Sequence, residues 1–303
     1  MNTNAALTKL FASIAVMLIP ISIYATPGDL YATDNRSIRV YAPYGSERIF
    51  ASGLLRARGL AFDRSGNLFV ATLDTASLFD GRGQILKFAP DGTGTVFAAE
   101  LDLPEGLAFD GAGNLYVALS DLLLSGQAFS PGHFPYVPHL PGRVIEFAPS
   151  GARREIIFDP TTFHQNIGVA VDAQDHLFVA DNLQLAIYLI SPNAAIGTAS
   201  TINIFASLPN SPIGLAFGGA GNLYVSDTDP FNTLGNITKI APDGTQTPFV
   251  SGLGALRGLA FDSNGNLFAA GNSNNVIYKI TPDGSVSIFA TGLVTPQFLA
   301  VEP

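Results

Sequence analysis

The sequence predicts an all-β fold, a six-bladed β-propeller over residues 28–303, and three observations support this prediction. A motif of the form Gly-Leu-Ala-Phe-Asp, followed by Gly-Asn-Leu-Phe/Tyr-Val-Ala, recurs along the chain. Turns of sequence Pro-Asp-Gly separate later parts of the repeats. The two ends of the chain carry complementary parts of one repeat, so the sixth blade is shared between the termini. Four short strands in about 45 residues is the period of a propeller blade.

Each complete repeat reads as four antiparallel strands. Five copies begin at anchor glycines, spaced by 47, 62, 46 and 44 residues. The anchors are Gly59, Gly106, Gly168, Gly214 and Gly258. The motif supplies two strands, and a third such as 276–280 meets the turn at 282–284 before a fourth at 287–290. Proline presets φ and glycine accepts positive φ, so these turns form tight hairpins between β-branched and aromatic runs.

The termini complete the sixth blade. Residues 297–302 have the pattern of the first strand of a repeat, but no second strand follows them. Residues 29–33 have the pattern of a second strand, but no first strand comes before them. Residues 38–41 and 48–51 then supply the third and fourth strands. Pairing 297–302 with 29–33 closes the ring and removes exposed sheet edges, which predicts one domain.

The first 25 residues have a different composition. Lys9 is followed by an apolar run that ends near Ala25 and is broken by Pro20. The run is too short to span a bilayer as a regular helix, and it is typical of a signal peptide. We therefore expect a secreted or periplasmic protein that has no membrane insertion after cleavage; the alternative is an uncleaved anchor. The chain has no cysteine, which excludes disulfides, thiol nucleophiles and thiolate metal sites.

The charge balance excludes some partners. The formal net charge is −9, and loss of Lys9 with the signal peptide would make it −10. A nucleic-acid-binding protein needs a basic surface to neutralise phosphates, so no nucleic acid is expected as a partner.

Three segments carry a resemblance to a known family. Residues 28–41, 176–181 and 222–227 resemble NHL repeats. The pattern is also similar to regucalcin/gluconolactonase-like propellers and, more distantly, to virginiamycin B lyase. The resemblance implies the fold. It leaves the activity open, because such propellers include lactonases, lyases, RNA binders and protein-binding platforms. The resemblance to the gluconolactonase-like enzymes also implies a divalent cation, held by Glu, Asn and Asp side chains near the mouth of the central channel.

The residue before each anchor is predicted to face the rim of that channel. Around the ring these residues are Arg58, Glu105, Ile167, Ile213, Arg257 and Gln297. Hard cations prefer several oxygen ligands, which this set does not supply, so neither a metal nor another cofactor is expected. Arg58, Arg257, Glu105 and Gln297 are instead the candidate ligand-binding residues, since guanidinium groups suit carboxylates and phosphates. The alternative is that Arg58 pairs with Glu105 and only lines the channel.

The histidines are the remaining candidates for catalysis. His176 replaces the Asn of a Gly-Asn turn and is interpreted as a turn residue. His133 and His139 lie in a long insertion, and His164 lies in a loop on the predicted site face. With Glu105 they could form a zinc site or a general base. The alternative is that they are exposed loop residues.

Two functions remain open. The first is a binding propeller, expected to be a monomer, that holds a small acidic molecule or a protein on its loop face. The second is a metal-independent or weakly metal-dependent hydrolase or lyase that acts on small lactone-like substrates.

Overall fold

The computed structural model describes residues 27–73, 82–120, 142–156, 166–191, 202–229 and 233–303. These residues form 24 strands in six four-stranded antiparallel sheets, which confirms the six-bladed propeller. None of the described residues lies in a helix, so none belongs to a helix that could cross a membrane. The predicted signal peptide, residues 1–25, lies outside the described residues, as do His133, His139 and His164.

The chain starts in the shared blade, runs through five complete blades and returns. Blade 6 contains β1 (Leu30–Asp34), β2 (Ser37–Tyr41) and β3 (Glu47–Ser52). Blade 1 contains β4 (Leu60–Phe62), β5 (Leu68–Leu73), β6 (Arg82–Phe88) and β7 (Gly94–Asp102). Blade 2 contains β8 (Pro104–Phe109), β9 (Leu115–Leu119), β10 (Arg143–Phe147) and β11 (Arg153–Ile156).

The remaining blades repeat this order. Blade 3 contains β12 (Asn166–Val171), β13 (Leu177–Asp181), β14 (Ala186–Ile190) and β15 (Ile202–Ser207). Blade 4 contains β16 (Ser211–Phe217), β17 (Leu223–Thr228), β18 (Gly235–Ile240) and β19 (Gln246–Leu253). Blade 5 contains β20 (Leu256–Phe261), β21 (Leu267–Gly271), β22 (Val276–Ile280) and β23 (Val286–Thr291). The last strand, β24 (Leu299–Val301), returns to blade 6.

The closing pair forms as the two chain ends predict. Strand β24 pairs with β1 in an antiparallel register that places Ala300 opposite Tyr31. Beyond the strand ends, the Gly28 amide donates to the Glu302 carbonyl at 3.0 Å, and the Glu302 amide donates to the Asp29 carbonyl at 2.9 Å. The N- and C-terminal segments therefore form one sheet, and the ring closes without a covalent link.

Adjacent blades are joined by aromatic side chains. Tyr31 meets Phe50 of its own blade and Phe62 of blade 1 edge to face, at centroid distances of 5.3 and 4.9 Å. Phe178 meets Phe205 and Phe217 in the same manner across the junction of blades 3 and 4. These contacts add to the burial of the aliphatic core on either side of each blade. The core is thus divided among the blade interfaces, and the channel runs between the inner strands.

The inner strands approach so closely that the anchors must be glycine. A Cβ at Gly59 would lie 2.2 Å from the Glu105 carbonyl oxygen, and one at Gly214 would lie 2.2 Å from that of Arg257. The repeated Gly therefore permits each blade to pack against the rim residue of the next blade. This close approach fixes the backbone of the rim residues.

Aspartates at the turn after the inner strand have a structural role. The Asp63 carboxylate accepts hydrogen bonds from the amides of Ser65 and Asn67 and from the Asn67 side chain. His176 makes the equivalent side-chain contact in blade 3, where its Nδ1 lies 2.9 Å from Asp172 Oδ2. This confirms His176 as a turn residue. It lies at the end of the inner strand opposite the channel rim, and therefore away from the candidate site.

Candidate functional site at the channel mouth

The rim of the channel has an apolar half and a polar half. Ile167 and Ile213 of blades 3 and 4 pack with Phe298 into one buried cluster. The opposite half carries Arg58 of blade 1 and Arg257 of blade 5, on either side of blade 6. Arg58 and Arg257 directly precede repeat anchors, and so do Ile167 and Ile213 of the apolar half.

A cavity of about 500 Å³ opens at the polar half. Its lining comes from blade 6 and the two blades beside it, and the described residues contribute guanidinium, amide and hydroxyl groups but no carboxylate. The lining residues are Asn35, Arg36, Leu55, Arg56, Arg58, Arg257, Asn272, Thr295 and Gln297. Pockets of this size hold small molecules in other proteins.

Arg58 is held by two partners. Its Nε lies 3.5 Å from Glu105 Oε2, and its Nη1 donates a hydrogen bond to Gln297 Oε1. Gln297 is oriented in turn, because its Nε2 donates to the Thr295 carbonyl at 2.7 Å. The predicted alternative, pairing of Arg58 with Glu105, is therefore present. Glu105 is buried beside Arg58 and is not among the described residues that line the cavity, and its expected role in ligand binding stays a prediction.

Arg56 and Arg257 are different, because no carboxylate pairs with either one in the described part of the chain. The pKa of Arg257 is lowered to about 10, mainly by burial and then by the charges of Arg58 and Arg56, while the Glu105 charge acts in the opposite direction. Burial and then the Arg58 charge also lower the pKa of Arg56, again against the effect of Glu105. A guanidinium keeps its proton at neutral pH, so both side chains are charged, and the Arg56 charge disfavours the charged form of Arg257.

Two hydroxyl groups position the arginine backbones. Thr33 Oγ1 donates to the Arg58 carbonyl at 2.8 Å, and Ser226 Oγ donates to the Arg257 carbonyl. Ser226 Oγ also accepts from the Gly214 amide at 2.8 Å, and thereby connects blades 4 and 5. The other four blades have alanine at this position, namely Ala71, Ala118, Ala180 and Ala270. A hydroxyl thus occurs at the two junctions that lead to an arginine.

The loop groups of the cavity are also ordered by hydrogen bonds. Asn35 Nδ2 donates to Thr295 Oγ1 at 2.8 Å, which joins the two terminal segments of blade 6. Asn272 Nδ2 donates to the Pro296 carbonyl at 3.2 Å. Arg56 and Thr295 both have positive φ, 47° and 48°, in equivalent segments before the inner strands. A non-glycine residue in this region is held there by its surroundings, so these loops are set before any ligand arrives.

The charges at the mouth do not suit a divalent cation. Glu105 is the one carboxylate among the rim residues, and it already pairs with Arg58. In the described residues, no group of three or more His, Asp or Glu side chains could hold a metal ion. The oxygen-rich cation site that the gluconolactonase-like resemblance implies does not fit these residues.

The structure adds residues to the site that the sequence analysis missed. Arg36, Asn35, Arg56, Asn272 and Thr295 line the cavity but do not precede an anchor glycine. Arg56 had a usable signal, because it stands two residues before Arg58 in the same segment. Asn35 and Asn272 had no usable sequence signal, since asparagine is common in turns.

Comparison with solved structures supports the fold. A gluconolactonase from Xanthomonas campestris superposes with a TM-score of 0.64 at 18% identity, over 80% of this chain and 79% of that chain. A virginiamycin B lyase from Staphylococcus aureus superposes with a TM-score of 0.59 at 14% identity, over 92% and 90% of the two chains. A streptogramin B lyase gives 0.60 at 15% identity, over 90% and 83%. No protein-family model and no curated protein matches the chain.

Proposed function

We propose that this propeller binds a small carboxylate-bearing molecule in the cavity at the channel mouth. The observation that carries the proposal is the presence of two partly buried guanidiniums, Arg56 and Arg257, that form no ion pair among the described residues and feel the Glu105 charge only at a distance. A charge removed from bulk water without a partner is costly. A bound carboxylate would offset this cost with charge-assisted hydrogen bonds, for which a guanidinium has matching geometry.

The arrangement is suited to binding because part of it is already fixed. Arg58 is held by Glu105 and Gln297, and the Arg257 carbonyl is held by Ser226. Groups that are ordered before binding lose little conformational entropy when the ligand arrives. The formal net charge of −9 opposes long-range attraction of an anion, so the local field of the arginines must supply the affinity.

A second candidate is hydrolysis or elimination on a small lactone-like substrate in the same cavity. Its support is the likeness of the fold to gluconolactonases and to a lyase. Arg58 and Arg257 could stabilise the negative charge that develops when an ester opens. Among the described residues, those that line the cavity carry no carboxylate or imidazole to act as a general base, so we place binding first.

Calorimetric titration with small carboxylates tests the proposal. We expect Arg257→Gln to weaken binding at least tenfold, because one charge-assisted contact is worth about 1.5–3 kcal/mol. Bound carboxylate should also raise the melting temperature of the native protein by mass action. Arg64→Gln is the matched control, since Arg64 is exposed in the turn at the far end of blade 1 and carries the same charge.

Two results would change the conclusion. Equal binding by the native protein and Arg257→Gln would refute the proposed site, as would the absence of binding by any carboxylate in the series. Turnover of a lactone by the native protein, lost in Arg58→Gln and retained in Arg64→Gln, would favour the second candidate.

A further inference from the structure

We infer that the ligand of the mouth cavity is a small diacid, a molecule with two separate carboxylate groups; this inference rests on the proposed function. It follows from the number and placement of the charges. Arg58 already has Glu105 as its counter-charge, and the exposed Arg36 is solvated. Arg56 and Arg257 remain, and a ligand with one carboxylate would leave an excess positive charge in the cavity.

The two unpaired arginines lie on different blades. Arg56 belongs to the segment that leads into blade 1, and Arg257 lies in the inner strand of blade 5. Blade 6 stands between them and contributes Gln297 to the same cavity. A ligand that meets both guanidiniums would lie beside Gln297 at the mouth of blade 6. A chain with an acid group at each end fits this arrangement better than one compact anion.

The hydrogen-bonding groups agree with an acceptor-rich ligand. Thr295 Oγ1 already accepts a hydrogen bond from Asn35, so its own hydrogen is left to donate. Gln297 uses its Oε1 for Arg58 and its Nε2 for the Thr295 carbonyl, and so holds the wall in place. The cavity thus offers donors from Thr295, Arg56 and Arg257, and carboxylate oxygens are acceptors.

The volume also favours a ligand larger than a single acid group. About 500 Å³ lies within the range of pockets that enclose whole small molecules. A short-chain diacid would occupy more of this volume than acetate or phosphate. Filling the space between the arginines would also exclude water, and this would strengthen both ion pairs.

Matched ligand pairs test the inference. Malonate, succinate, glutarate and adipate are each titrated against their own monomethyl esters, which keep the chain and lose one charge. We expect at least one diacid to bind the native protein at least tenfold more tightly than its ester, the equivalent of one charge-assisted contact. In Arg56→Gln this preference should fall to about threefold or less, while Arg64→Gln should retain it. Melting curves of each variant establish that it is folded.

The outcomes separate the inference from the proposed function. If diacids and esters bind the native protein equally, and both lose affinity in Arg257→Gln, the diacid inference is wrong and the carboxylate site stands. If inorganic phosphate binds as tightly as every diacid, the requirement for two separated acid groups is wrong. If none of these anions binds, the proposed function itself fails.

Discussion

Two groups of charged residues lie at opposite ends of the strand pair that closes the ring, and they differ in the sign of their excess charge. The mouth cluster contains Arg56, Arg58, Arg257 and Glu105. The terminal cluster contains Asp29, Tyr31, Arg48 and Glu302. The first has three guanidiniums for one carboxylate, and the second has two carboxylates for one guanidinium. The arginines of the first cluster line a cavity.

The terminal cluster joins the two ends of the chain. Asp29 is fully buried, and its Oδ2 lies 2.9 Å from Arg48 Nη2. Tyr31 donates a long hydrogen bond to Glu302 Oε2 at 3.5 Å. Burial raises the pKa of the Glu302 carboxyl, and the charge of Asp29 raises it further, against the effects of Tyr31 and Arg48.

The difference shows how each excess charge can be relieved. A carboxyl can take up a proton, so the terminal cluster can lose its extra negative charge as the pH falls. A guanidinium cannot give up its proton near neutral pH, even where burial brings the pKa of Arg257 to about 10. We therefore propose that the mouth cluster takes its counter-ion from a bound ligand. Its position beside a cavity is the physical basis for assigning it to binding.

Deleting residues 296–303 should have the largest effect, because it removes β24, Glu302 of the terminal cluster and the Gln297 side chain that accepts a hydrogen bond from Arg58. The inner edge of β1 would lose its partner, and Phe298 would leave the apolar half of the rim. We expect the free energy of unfolding to fall by about 4 kcal/mol or more, with association through the open edge. Urea denaturation and gel filtration measure the two effects. Deletion of Pro303 alone is the control, and an unchanged urea midpoint in the long deletion would contradict closure by β24.

Glu302→Gln should stabilise the protein at neutral pH, because it removes the extra negative charge of the terminal cluster. Because the native pKa of Glu302 is raised, the native protein binds this proton before the unfolded chain does. The unfavourable contribution of the carboxylate is therefore present at neutral pH and disappears as the pH falls below the unfolded value. We expect a gain of about 1 kcal/mol at pH 7 and little gain near pH 4, measured by urea denaturation at both pH values.

A second glutamate on the same blade provides the control. Glu47 pairs with Arg39 in a more exposed position. Glu47→Gln removes an attractive contact, so we expect a loss of stability of less than about 1 kcal/mol at pH 7. A loss of stability at pH 7 in Glu302→Gln as well would show that the terminal cluster is not strained by its excess charge.

The sequence predicted the fold because its repeats specify hydrogen bonds that are local to each blade. The anchor glycines, the turn aspartates and the two partial repeats each have one consistent role in the structure. The register between the termini was predictable for the same reason, since β24 and β1 carry the patterns of a first and a second strand. Strand ends were less predictable: the fourth strand expected at 287–290 extends over Val286–Thr291.

The candidate site was predictable only where it follows the repeat. Arg58, Arg257 and Gln297 occupy one repeated position, so their meeting at the mouth could be read from the alignment of the blades. Arg56 and Thr295 lie in loops whose positive φ depends on the packing of neighbouring blades. The separation of Glu105 from the cavity depends on where the Arg58 side chain lies, which the repeat does not encode. The roles proposed for His133, His139 and His164 remain predictions.

The smallest expected effect concerns the position of Arg257 and not its charge. In Ser226→Ala, the Gly214 amide and the Arg257 carbonyl lose the hydroxyl that connects them. The equivalent junction after Ala71 uses a direct bond of 2.9 Å from the Gly59 amide to the Glu105 carbonyl, so the variant has a similar backbone arrangement within reach. Such a shift would move the guanidinium, and we expect diacid affinity to fall by about two- to fivefold with a stability loss near 1 kcal/mol. Native affinity in Ser226→Ala, measured by calorimetry, would show that the hydroxyl does not position the arginine.

Ser226→Thr is the control for this variant, because it keeps a hydroxyl at the same position. Thr33, the equivalent residue of blade 6, donates the same hydrogen bond to the Arg58 carbonyl. We therefore expect Ser226→Thr to retain native affinity.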